Sequence, residues 1–265
     1  MATATRNPRV GELLRSWRQR RNVSQLELSS GAAVSSRHLS FIETGRSKPS
    51  REMIVYLSEQ LEIPLRERNQ LLPAAGYAPV YGERSLDDAD MGPAREALDR
   101  FLRAHQPFPA VVVDGHWNIV AANAAVAMLT AGTAPELLAP PANALRLTLH
   151  ADGMAPRIVN LAEWSGHLLQ RLRRQAVITG DPELEQLHDE LGAFPGVSLD
   201  PPPVDGDGAD IVLPLRLRDG DRELAWISTV STFGTAADVT LAELSIEAFY
   251  PADDETAAAL LNGRS

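Results

Sequence analysis

Residues 24–50 read SQLELSSGAAVSSRHLSFIETGRSKPS, and this stretch decides the fold. Ser24 and Glu27 form an S-x-x-E pair, whose hydroxyl and carboxylate each satisfy a backbone N–H that a helix start leaves free, so a helix begins after Ser24. Leu28, Ala32 and Val34 are its apolar or small positions. Ser35 is a good N-cap for a further helix over 36–42 carrying Leu39 and Ile42, and Gly45 ends it, as glycine commonly does after a C-terminus. Two short helices joined by a tight small-residue turn fit a helix-turn-helix.

Working outward, Val10, Leu13, Leu14 and Trp17 recur at helical spacing, which predicts an amphipathic helix over 9–21. Ser50 caps a fourth helix with Met53, Ile54, Leu57 and Leu61 on one face, and a fifth covers 65–75. The charge of the chain is split in the same place. Residues 1–51 hold ten basic and three acidic side chains, a balance of +7, while the whole chain sums to −10, so the remainder carries −17. A basic module for a polyanion joined to an acidic soluble body accounts for that asymmetry.

The run S24-Q25-x-x-L28-S29-x-x-A32-A33-V34-S35 followed by L39-S40-x-I42-E43-x-G45-R46-x-x-P49-S50 resembles the DNA-binding domain of the phage-repressor (Xre) family, over about residues 9–77. The resemblance implies that the second motif helix lies in the major groove of a double-stranded operator. Ser36, Arg37 and Phe41 would then face base edges, with Ser35 at the head of that helix. Arg37 would pair with a guanine and Phe41 would touch a thymine methyl. Ser40 would reach a base or a phosphate, and Gln25, Arg46 and Lys48 would bind phosphates. Arg18 and Glu43 stand where the family often holds a buried ion pair. The chain departs from the pattern at Ala33, where the family's turn usually has glycine. A positive φ there costs alanine about 1 kcal/mol.

Residues 79–93 mix Pro, Gly and acid without periodicity and read as a linker between a domain at 1–78 and one at 94–265. An amphipathic helix at 94–104 is followed by a strand at 111–113, an Asp114-Gly115 turn and a strand at 117–121. Asn123 then caps a helix carrying Val126 and Leu129. Helices follow at 159–178 and 182–192, then a loop over 194–210. Ile211, Leu213, Leu215 and Leu217 alternate with Val212, Pro214, Arg216 and Arg218, as a strand does, and RDGDRE is a hairpin turn. Residues 224–233 are apolar on both faces. Leu244, Ile246, Ala248 and Tyr250 alternate against Ser245 and Glu247, and a last helix fits 254–262.

The opening of this region resembles a PAS sensor domain, and its whole order resembles the PAS-like ligand-binding domain of MmyB-like transcription regulators, over about 94–262. The expected class is therefore α+β: an all-α five-helix head, then a PAS-like domain with an antiparallel sheet. The resemblance implies a small hydrophobic ligand, fatty-acyl or other, and binding as a homodimer to two half-sites about one helical turn apart. The aromatic-rich F-x-x-L-W-x-x-H stretch of many relatives is replaced here by FPGVSLDPPP at 194–203. Trp117, Trp164, Leu168, Trp226 and Phe233 are candidate walls of an apolar pocket. Arg146 or His150, within ALRLTLH, is a candidate partner for an acidic headgroup.

Other classes find less support. The chain lacks cysteine, which excludes disulfides, thiolate chemistry and Cys-ligated zinc. None of the six histidines forms a close pair with ligand spacing, so no metal or cofactor is expected. No G-x-S-x-G, P-loop or G-x-G-x-x-G occurs, so no catalytic residue is assigned and no enzyme is expected. No apolar run nears the roughly 20 residues of a membrane span, and the N-terminus lacks the apolar core of a signal peptide, so the expectation is a cytoplasmic protein. The rival readings are an antitoxin-type adaptor whose acidic body docks a protein, and an enzyme fused to a DNA-binding head.

Overall fold

The structure is a computed structural model that describes residues 9–200 and 212–262. The chain divides into two compact units, the main stretch of the first ending at Glu83 and that of the second beginning at Arg84.

The first unit holds five helices: α1 (Val10–Arg20), α2 (Gln25–Gly31), α3 (Ser36–Glu43), α4 (Arg51–Gln60) and α5 (Leu65–Ala74). Each of α2, α3 and α4 starts on a serine whose hydroxyl accepts a backbone N–H three residues on: Ser24 from Glu27, Ser35 from His38 and Ser50 from Met53. In the first of these Ser24 N also donates to Glu27 Oε2 at 2.7 Å, which completes the capping box. The apolar stripes of all five helices meet in one core that includes Leu14, Trp17, Leu28, Leu39, Ile42, Ile54, Leu57 and Leu72. Each such side chain contributes about 1.5–3 kcal/mol when fully buried. Two glycines fix how α3 sits. A Cβ on Gly11 would lie 2.1 Å from Ile42 O, so α1 can cross the end of α3 only at a residue without a side chain. Gly45, at φ +72°, turns the chain off the end of α3. Ala33 has φ +49°, so the motif's turn does take the left-handed backbone that the phage-repressor pattern usually gives to glycine.

The second unit runs α6 (Gly92–Ala104), β1 (Ala110–Val113), β2 (Ile119–Ala122), α7 (Val126–Leu129), α8 (Pro135–Leu138), α9 (Ala144–Leu149), α10 (Leu161–Thr179), α11 (Pro182–Gly192), β3 (Leu215–Asp219), β4 (Arg222–Thr232), α12 (Val239–Glu243), β5 (Ser245–Pro251) and α13 (Asp254–Asn262). The strands form one antiparallel sheet in the order β2-β1-β5-β4-β3, which makes the chain α+β, as expected. The sheet is covered on both faces, which is why β1 reads as an unbroken apolar run. Ala110 and Val112, paired with Ala248 and Ile246 of β5, lie on one face with Leu98 and Leu102 of α6. Val111, Leu215, Leu224, Trp226 and Phe249 lie on the other, in a core shared with Trp164, Leu168 and Leu172 of α10 and Leu184 and Leu187 of α11.

Five local readings change. Trp117 is not the first residue of β2. It holds φ +68° in the turn, which Asp114 organises by accepting the backbone N–H groups of His116 and Asn118 at its Oδ1. Asn123 does not cap α7, which has no side-chain cap. Its amide instead ties the end of β2 to α6 and β1, donating to Leu102 O and Phe108 O and accepting from Ala110 N. β3 starts only at Leu215, and Ile211 and residues 201–210 lie outside the described residues. The second half of β4 is exposed from Thr229 to Thr232, because β3 pairs only with residues 222–226. In β5 both faces are buried, so Glu247 and Phe249 point into the core while Tyr250 is exposed.

Candidate DNA interface and ligand cavity

In the first unit, α3 is attached to the core through Leu39 and Ile42 and leaves Ser36 and Arg37 exposed. Phe41 is half-buried, with the Arg37 guanidinium 5.3 Å and the Arg46 guanidinium 5.9 Å from its ring centroid. Stacking on an aromatic ring limits the rotamers each arginine must give up on binding while leaving its donors free. Lys48 lies 5.0 Å from the ring of Tyr77, whose hydroxyl donates to Pro49 O. Arg37, Arg46 and Lys48 form no ion pair among the described residues. These cations can be neutralised by an external anion, which is the condition for counterion-releasing contact with phosphate.

Behind them, Arg18 of α1 bridges to Glu43 of α3, Nε to Oε1 at 2.7 Å and Nη2 to Oε2 at 3.0 Å, and also donates to Val23 O. The side chains are 11% and 2% exposed, so this pair positions α3 and is closed to DNA. The Glu43 hydrogen bond raises the Arg18 pKa further, against the opposing effect of burial. Gln25 joins the pair, donating from Nε2 to Glu43 Oε2 at 2.8 Å. Ser29 and Ser36 share a 2.8 Å hydroxyl contact that links α2 to α3.

The second unit holds a narrow, partly open apolar cavity of about 50 Å³. Its walls come from β1, β2 and the turn before it, α7, α9, α10, β3 and β5. Trp117 is held in its left-handed conformation by three contacts. Its Nε1 donates to Gln175 Oε1 at 2.8 Å, Gln175 Nε2 donates to Gly115 O, and the Arg171 guanidinium lies 4.5 Å from its ring centroid. Backbone strain of this kind persists only where the surroundings over-determine it.

A model of the MmyB-like transcription regulator ligand binding domain matches residues 94–261. The chain belongs to the MmyB-like transcription regulators. A helix-turn-helix domain model matches residues 9–71, and no curated protein matches the chain. An MmyB-like regulator with this head is a DNA-binding transcription regulator with a ligand-sensing domain.

In this MmyB-like regulator the anticipated DNA residues gather on one motif, with distinctions among them. Arg37, Phe41 and Arg46 form one cluster, and Ser36 and Lys48 are exposed beside it. Ser35 spends its oxygen as the N-cap, Ser40 is half-buried, and Gln25 is turned inward to Glu43. Among the anticipated pocket walls, Trp117, Trp164 and Leu168 line the cavity. Trp226 is fully buried but lies outside it, with an indole N–H that has no partner among the described residues. Phe233 packs on the α6 face of the sheet. Arg146 forms a two-pronged bridge to Glu190 of α11, both contacts 2.7 Å, and His150 accepts from Asp152 N and packs edge-on against Phe194, so neither lines the cavity. The sequence reading missed Met154, Phe249 and Glu247, which do. The signal for Glu247 was a carboxylate inside SIEAFY, a strand otherwise built of apolar and small residues.

Proposed function

We propose that this regulator binds its operator as a homodimer through α3, and that a small hydrophobic molecule of the acyl-chain class, held in the cavity of the second unit, changes operator affinity. The observation that carries the reading is the pairing, in one chain, of two arginines without ion partners on and just after α3 with an apolar cavity in the second unit. Arg37 reads a guanine edge, Phe41 contacts a thymine methyl, and Arg46 and Lys48 take phosphates. Apolar burial supplies ligand affinity at about 25 cal/mol per Å², and the cavity's few polar groups set its orientation.

Native and denaturing mass spectra of the purified full chain test this. A dimer carrying one lipid-sized adduct per chain, released on denaturation, is the expected result. A monomer without an adduct, unchanged on incubation with acyl-chain compounds, contradicts it.

A further inference from the structure

The sheet of the second unit has a bare stretch of edge. β3 pairs with β4 only from Arg222 to Trp226, while β4 runs on to Thr232 beside β5 with no break in register. The outer edge of β3 is itself covered: Val159 N donates to Arg216 O, and Arg216 N donates to Asn160 Oδ1. Along β4, alternate residues turn their N–H and C=O to opposite edges. Ala225 O accepts from Ala252 N on the β5 side, so Ser228, Val230 and Thr232 turn theirs to the other edge, where they bond to no described residue. Residues 229–232 are exposed, Val230 by 45%. Such an edge is a template for another strand, and proteins guard it with charge, proline or a bulge. Residues 228–232 read STVST and have none of these.

The residues also select the occupant. In an antiparallel pair with a two-fold axis at Val230, the N–H and C=O of Val230 bond those of the second copy's Val230. Ser228 then faces Thr232 of the other copy, and Thr229 faces Ser231. A two-fold axis brings a side chain beside its own copy, so a charge there would meet its like. Every pair here is uncharged and either small or β-branched, which suits contact across strands. We propose that this chain joins a second copy of itself through antiparallel pairing of β4 over Ser228–Thr232, continuing the sheet from one protomer into the next. This rests on the homodimer of the proposed function and gives it an interface. Its two-fold symmetry matches paired half-sites. Ser228 and Val230 also lie opposite Phe249 and Glu247 of β5, which line the cavity, so a ligand would sit one strand from the join.

The join is well below the roughly 20–30 residues a side of a standard interface, so the expected Kd is on the order of micromolar. Sedimentation velocity on the full-length chain, over about 1–200 µM, measures it. Val230→Lys sets two ammonium groups side by side at the axis and should weaken the dimer at least about tenfold, whereas Val230→Thr should stay within about threefold of wild type. The chain has no cysteine, so Val230→Cys supplies a single thiol. Its two copies would stand with Cα atoms about 5.5 Å apart, inside the disulfide range. Diamide should therefore link them covalently, and should leave unlinked Val120→Cys, a similarly exposed position on β2, at the other end of the strand order.

A wild type that stays monomeric at about 200 µM overturns this interface and the homodimer together. A dimer that keeps its affinity in Val230→Lys and does not cross-link through Val230→Cys overturns the interface alone, leaving the homodimer on another surface. The cross-link decides if Val230→Lys does not fold.

Discussion

Arg37 and Arg46 flank the same phenylalanine, yet their predicted roles on DNA differ. Arg37→Ala should cost about 1–3 kcal/mol at the operator and relax preference at one base pair, whereas Arg46→Ala should weaken all sequences alike and lower the salt slope by about 1. Anisotropy titrations on operator and random duplexes, at several salt concentrations, separate the two. Equal loss for Arg37→Ala on random DNA would remove it from the bases. Behind the surface, Glu43→Ala strands Arg18 in a site where its side chain is 11% exposed, and should cost about 3–5 kcal/mol of head stability in a urea melt of the full chain. Ala33→Gly relieves the +49° backbone and should raise the same transition by about 0.5–1 kcal/mol, the strain relief outweighing glycine's extra unfolded-state freedom. The helix caps were legible in the sequence, since short spacings fix them, whereas the Arg18–Glu43 pair, 25 residues apart, was expected only from the family resemblance. The role of Gln25 was not legible, because an amide at the first turn of a helix reads the same whether it faces a phosphate or, as here, Glu43.

At the scale of elements, the packing of α1 on α3 depends on a missing side chain. Gly11→Ala pushes a methyl group against the backbone of Ile42, which cannot rotate away, and should destabilise the head by roughly 3 kcal/mol or more. A head transition unchanged by this substitution would contradict the close crossing. In α10, burial holds the half-buried His167 below the usual histidine range, Arg171 and Arg174 press it the same way, and Glu247 opposes them. The folded state therefore keeps this ring neutral while the unfolded chain takes up a proton near pH 6.5. Its contribution is complete above that pH and is lost as pH falls toward the depressed folded value. Melting temperatures of the second unit should decline between pH 7 and 5.5, and His167→Gln should flatten that part of the profile. The helices and the hairpin turn of the second unit were legible from periodicity, but the faces of its strands were not. Alternation assigns residues to two faces without saying that both are covered, so Glu247 read as solvent-facing and β4 as buried along its whole length.

For the molecule as a whole, a balance of +7 over residues 1–51 against −17 elsewhere concentrates attraction for phosphate in the head and repels the rest of the chain from non-specific DNA. No described helix is long and apolar enough to cross a membrane. Composition and two motif patterns made the two-part design legible. The cavity was not, since its lining is gathered from seven elements spread between Val111 and Phe249 and includes Ala144, a residue no pattern singles out. Ala144→Leu places a larger side chain at that lining, and it should abolish ligand response while leaving operator affinity in the ligand-free state within about twofold. The most direct test of ligand-controlled DNA binding follows from this. Operator affinity is measured by anisotropy for the full-length wild type and Ala144→Leu, each with and without the molecule released from the purified protein on denaturation. A change of about tenfold in wild-type Kd, absent in the variant, is the predicted result. An operator Kd that stays the same at saturating ligand, with the ligand demonstrably bound, would contradict the account.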